Sequence, residues 1–319
     1  MSIETSPTPE PAAPPPKAPR RLGDSLFSGA ATGAGALILA LLAGVAIFLL
    51  SEAWPALRAS AEELPGGEGL VEFVLPLAFG TVVAAAIAVV LAIPFAVAIA
   101  VFITHYAPRR LAHTLGYLID LLAAVPSVVY GLWGIAVLGP ASVGVSQWLE
   151  ANLGFLPFFE GPASATGRTM LVVGVVLAVM ILPIITAVTR EVFAQTPKAH
   201  REGALALGAT RWEMIRTAVL PFGKSAAISA SMLGLGRALG ETMAVPIILS
   251  ASGAITFNLI SSGNPATIAA NIALDFPESS GLAVNALIAS GLVLFALTLV
   301  VNMAARVIIN RRADFSGAN

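Results

Sequence analysis

An all-α membrane protein with six spanning helices is the fold class this sequence predicts, and three observations predict it. Only 11% of the 319 residues are charged, against 57% hydrophobic, whereas a water-soluble domain carries about 25% charged residues. The apolar residues gather into six runs, each long enough to cross about 30 Å of hydrocarbon as a helix. Basic residues fall in alternate loops between those runs, as they do in proteins whose cytoplasmic loops collect Lys and Arg.

The elements follow in order. Residues 1–24 hold seven of the 22 prolines, three of them consecutive at Pro14, Pro15 and Pro16. This stretch has no apolar face to bury and reads as a disordered tail on the cytoplasmic side. Lys17, Arg20 and Arg21 then precede the first apolar run. A cleaved signal peptide has the same order of features, but this run is long enough to stay as a spanning helix. The six runs cover residues 27–50, 74–103, 115–138, 170–189, 225–249 and 282–309. Together they make one transmembrane domain over 25–312, followed by a short cytoplasmic tail over 313–319. The N-terminal tail, Arg109 and Arg110, the loop 190–224, and Arg311 and Arg312 share one side. The opposite loops carry only Arg58 and Arg168, with many acids, among them Glu62, Glu63, Glu68, Glu72, Glu150, Glu160, Asp275 and Glu278. Both termini therefore belong in the cytoplasm. Pro76, Pro94, Pro126, Pro183 and Pro246 lie in or near the runs, where each removes a backbone hydrogen bond and shapes its helix.

The composition also excludes. Net charge is −1 and there is no cysteine, so neither a basic nucleic-acid surface nor a thiolate metal site is available. Three scattered histidines give no metal cluster and no hydrolase pattern, and no cofactor or catalytic residue is expected. Gly223-Lys224-Ser225 imitates the end of a phosphate-binding loop. The glycine such a loop needs at position 218 is Ala218, and no strand precedes it. Asp120 sits near the start of the third run and suits capping or packing better than proton relay.

Two segments carry functional information. In the fifth run Arg237 and Glu241 stand four residues apart, which on a continuous helix places them on one face as mutual partners. A charge at bilayer depth normally faces a partner or a water-filled cavity. A guanidinium also matches an oxyanion through two parallel hydrogen bonds. The pair thus reads as an anion-attracting post beside a path, with a packing ion pair as the competing reading. Ser127 and Tyr130, just past Pro126, are candidates for the same path. Gly236 and Gly240 have the spacing of close helix packing. The second segment is the loop 201–221. Pro197 suits a helix start, Gly208 permits a left-handed stop, and Trp212, Ile215 and Val219 then recur at helical spacing.

This loop resembles the EAA loop of ABC importer permeases. Glu202-Gly203-Ala204, then Gly208, then Leu220-Pro221 keep its spacing, while Gly203 and Ala218 depart from its usual alanine and isoleucine. The sequence around Arg237 to Val245, and that from Leu121 to Gly131, is similar to the phosphate permease family, over a stretch from about Gly80 to Arg312. The resemblance implies the type I ABC importer architecture in a bacterial inner membrane, with the coupling loop at about 197–221. It also implies a homologous permease partner, two ATPase subunits docking on Glu202, Gly203, Ala204, Gly208, Leu220 and Pro221, and an external phosphate-binding protein. In that family the matching Arg and Glu, here Arg237 and Glu241, are tied to phosphate passage, and ATP hydrolysis belongs to the partner. The alternatives are a permease of the same architecture for another oxyanion, an ion-gradient-driven secondary transporter, and a membrane scaffold.

Overall fold

The computed structural model describes residues 22–64, 67 and 69–313. The proline-rich stretch through Arg21, Glu68, and the tail from Asp314 lie outside the described residues. Residues 22–24, read above as tail, already belong to a helix. The elements are α1 (Leu22–Arg58), α2 (Leu70–Val101), α3 (Arg109–Ala123), α4 (Ser127–Trp133), α5 (Gly139–Leu153) and α6 (Met170–Ala194). After them come α7 (Lys198–Ala206), α8 (Arg211–Met214), α9 (Leu220–Leu239), α10 (Ala244–Ile248), α11 (Ile268–Asp275) and α12 (Leu282–Ala313). π-Helical turns continue α2 through Tyr106, join α4 to α5, and join α8 to α9.

Six helices among the described residues are long and apolar enough to cross a membrane: Ser25–Arg58, Leu70–Tyr106, Ser127–Leu153, Met170–Ala194, Arg211–Leu239 and Leu282–Val307. The count agrees with the sequence reading, but two spans differ from it. The third was expected over 115–138 and instead runs from Ser127 to Leu153. Pro126 has no N–H and restrains the residue before it, so the apolar run breaks there. What precedes the break is α3, an amphipathic helix whose Asp120 carboxylate lies 3.4 Å from the Arg190 guanidinium at the end of α6. The packing role expected for Asp120 is thus an ion pair. The fifth span was expected to continue to 249, but it stops at Leu239, and α10 starts afresh at Ala244. Pro246 explains the stop: in a continuous helix its ring would meet the carbonyl of Thr242, and it offers no N–H in return. Pro76, Pro94 and Pro183, in contrast, lie within uninterrupted helices.

The chain divides into two compact units, residues 1–48 and 49–319. In the first, the described side chains of α1 are almost all exposed, as befits a helix whose apolar surface meets lipid or another chain. The second is built on α2, α6 and α9, which pack mutually. Ala84, Ala88, Ala92 and Ala96 form a buried alanine ladder along α2. Small side chains let membrane helices approach closely and gain dispersion contacts. Across the ladder sit Val173, Val176, Leu177, Met180, Ile181 and Ile185 of α6. Gly234 is the glycine that brings α9 close, since a Cβ there would lie 2.8 Å from the Ile185 side chain. The expected Gly236–Gly240 pair does not pack this way: Gly236 has open space at its Cβ position.

Between α10 and α11 the backbone is irregular. Irregular backbone at membrane depth must be covered by protein or line a cavity, and here it is covered. Gly80 of α2 lets the Ala266 carbonyl pass where a Cβ would collide. At the next residue, the Thr81 hydroxyl accepts the Ile268 N–H at 2.9 Å.

Candidate functional site

Two interrupted helices meet in the second unit. The first interruption lies between α3 and α4. Its backbone turn is spanned by Tyr130, whose buried phenol donates a hydrogen bond to the Leu122 carbonyl at 2.9 Å. The second lies between α9 and α10. The two are in contact because α4 packs on α10 through Gly131, where a Cβ would come 2.9 Å from Ala244 Cα.

At the second interruption, where the fifth apolar span closes at Leu239, the chain leaves two helix ends whose backbone groups lack partners within their own helices. The charges serve those ends. Arg237 lies in the last turn of α9, where a cation complements the exposed carbonyls. Glu241 is buried at 6% exposure. Its Oε1 accepts the Met243 N–H at 3.0 Å and the Ala244 N–H at 2.9 Å, closing the start of α10. The far end of α10 is held by Arg168, which donates from Nε to the Ile248 carbonyl at 3.2 Å and from Nη2 to the Leu249 carbonyl at 3.4 Å. Five residues of helix are therefore clamped between a carboxylate and a guanidinium.

This arrangement corrects the expected Arg237–Glu241 pair. The two residues do not share a helix face, because the helix between them has ended. The one ion pair among the described residues joins Arg190 to Asp120. The Arg237 guanidinium is half-buried and makes no hydrogen bond or ion pair among the described residues, though it lies close enough to Tyr130 to act on it electrostatically. A guanidinium without an ion-pair partner among the described residues has the donor geometry that matches an oxyanion. Ser127, at the first position of α4, is half-buried, and no side-chain hydrogen bond joins it to Arg237. Sequence reasoning missed the role of Arg168, because its partners are 80 and 81 residues away. It missed Glu241 as a cap because Ser, Thr, Asp and Asn are the usual signals there.

The handle takes the form its spacing implied. Pro197 precedes α7, and Gly208 follows it with φ +87°. The Ala209 N–H donates to the Ala204 carbonyl at 3.2 Å and the Gly208 N–H to the Leu205 carbonyl at 3.0 Å, the paired bonds of a Schellman stop. Thr210 then opens α8 with a reciprocal capping box: Glu213 Oε2 accepts the Thr210 N–H at 2.7 Å, and Thr210 Oγ1 accepts the Glu213 N–H at 3.3 Å. Ala204 packs onto a cluster of Ala100, Val101, Phe193, Met214, Ile215 and Val219, which ties this loop to α2 and α6. Glu202 and Gly203 are exposed. So are Leu205, Trp212 and above all Leu207, at 91%, an apolar knob that no described residue covers. Leu220 and Pro221 begin α9.

Residues 92–314 match the family model described as binding-protein-dependent transport system inner membrane component. A Mycobacterium tuberculosis protein named phosphate transport system permease protein PstC 2 is 48% identical over 302 residues, covering 91% of this chain and 93% of that one. The PstC proteins of Mycobacterium leprae and Mesorhizobium japonicum are 46% and 37% identical, over 91% and 93% of this chain and 94% and 93% of their own lengths. The fold is also similar to a bacterial ABC transporter involved in the import of the polysaccharide alginate, with TM-score 0.54, 16% identity, and 86% and 95% of the two chains covered. With six apolar helices, a Schellman-stopped handle and these relatives, the chain belongs to the family of inner-membrane components of binding-protein-dependent transport systems.

Proposed function

We propose that this chain is a permease subunit of an ATP-driven phosphate importer. It forms one wall of the translocation path, and a homologous permease forms the other. The observation that carries the reading is Arg237: a cation without an ion-pair partner among the described residues, in the last turn of the fifth apolar span, in a chain whose relatives are named for phosphate transport. A guanidinium presents two parallel donors to a phosphate oxygen pair and holds its charge at any physiological pH. Tyr130 and Ser127 flank the first break and complete the polar lining. Glu241 serves the path indirectly, by fixing where α10 begins.

Transport requires a change between states of the path that ATP drives. The exposed apolar knob formed by Leu205 and Leu207 at the end of α7 and Trp212 of α8 suits a cleft on an ATPase subunit, and two such subunits would serve the pair of permeases. Glu202 and Gly203 lie on the accessible side of that helix, and Leu220-Pro221 relays its displacement into α9. An external phosphate-binding protein would deliver substrate to the acid-rich face, and both termini would lie in the cytoplasm. Nucleotide shifts the states only through its differential affinity for them. Uptake of radiolabelled phosphate into proteoliposomes holding the complete complex tests the reading. ATP-dependent uptake in the wild type that disappears in Arg237→Gln supports it; equal uptake by both removes Arg237 from the path.

A further inference from the structure

An apolar cleft of about 550 Å³ opens between α2 and α9, at the end of the membrane region that carries the handle. Its walls are Ile93 and Val97 of α2 and Leu220, Ile228 and Met232 of α9, among others. Arg216 and Lys224 also line it. Both are exposed, and neither takes part in an ion pair among the described residues. The cleft is turned away from the candidate path: Ile228 and Arg237 are nine residues, or about 2.5 helical turns, apart and so project from opposite sides of α9. From Lys224 to Met232 the groove follows α9 for about 12 Å, at 1.5 Å per residue, a length suited to much of an acyl chain.

We propose that this cleft holds an anionic phospholipid, its phosphate between Arg216 and Lys224 and one acyl chain along Ile228 and Met232. Charge complementarity selects the occupant. Two unpaired cations at the mouth of an apolar groove, on the side rich in Lys and Arg, match a negatively charged headgroup above a hydrocarbon tail. A protein segment filling the groove would instead have to supply two acids and an apolar stripe. The site has a functional position. Leu220 and Pro221 belong to both the cleft and the handle, so a bound lipid would brace the joint between coupling helix and spanning helix. The proposal rests on the orientation and path assigned above.

Native mass spectrometry of the complete complex, extracted from nanodiscs of equal phosphatidylcholine and phosphatidylglycerol, tests this. The wild type is expected to retain phosphatidylglycerol preferentially. Arg216→Gln and Lys224→Gln should each cut that preference about fivefold, and Lys224→Arg should keep it. Unchanged preference in the double Gln variant overturns the proposal. So does displacement of the lipid by inorganic phosphate, which would mark a free-anion site. Loss of a protein subunit instead of lipid overturns it too, by assigning the cleft to a partner. Arg237→Gln should retain the lipid while losing uptake, so failure of the path reading and failure of the lipid site are separable.

Discussion

Arg237 and Glu241 illustrate how a helix break changes what charges do. Had α9 continued, the two would neutralise each other and leave nothing for a ligand. Because it stops at Leu239, Glu241 is occupied by the Met243 and Ala244 amides, and Arg237 is left available. Two substitutions separate these roles. Arg237→Gln removes a charge-assisted contact worth about 1.5–3 kcal/mol, so phosphate uptake should fall by roughly 10- to 100-fold while the complex still co-purifies. Glu241→Gln keeps an oxygen facing the same two amides and should retain uptake within a few-fold. Glu241→Ala leaves those amides without a partner, and both thermal stability and uptake should fall. If Gln and Ala were equally inactive, the carboxylate charge itself would be required and the capping role would be insufficient.

At the scale of elements, two short joints matter. Gly208 sits at φ +87°, where an L side chain costs about 1–2 kcal/mol. Gly208→Val should therefore disturb the Schellman stop and weaken ATPase association by roughly tenfold, measured by co-purification or by interferometry with the purified ATPase. The contact between α4 and α10 depends on Gly131. Gly131→Val forces a side chain against the Ala244 backbone, and overpacking of this kind costs about 1–3 kcal/mol. A lower unfolding midpoint in detergent is the expected outcome, together with reduced uptake, because the two broken helices separate where they meet.

Across the described residues, the main buried core lies on α2, α6 and α9 and their immediate neighbours, a smaller cluster joins Ala53 and Ala56 of α1 to Ala286 and Ala289 of α12, and the described residues of α1 before Phe48 are almost all exposed. The permease is accordingly a surface-rich protein that relies on lipid and partners for burial. Its orientation can be tested directly, because the chain has no native cysteine. Single cysteines at Arg109 or Glu202 should react with an impermeant maleimide only in inverted vesicles. Those at Glu150 or Glu278 should react only in right-side-out cells. The opposite pattern would invert the topology.

The number of spans, the side that collects Lys and Arg, and the stop at Gly208 could all be read from the sequence. Each is a local property: hydropathy over a bilayer's thickness, loop charge, and the φ freedom of one glycine. The boundaries of the third and fifth spans were not legible, although Pro126 and Pro246 were visible. A proline inside an apolar run can be carried within a helix, as Pro94 and Pro183 are, or end it, and only the neighbours that satisfy the freed backbone decide between the two. The tertiary structure made that decision at α10, where Arg168 reaches across 80 residues to hold one end and Glu241 turns back to hold the other. Sequence alone therefore determined that charges lie within the membrane region; which of them stays free for a ligand followed from contacts that only the folded chain creates.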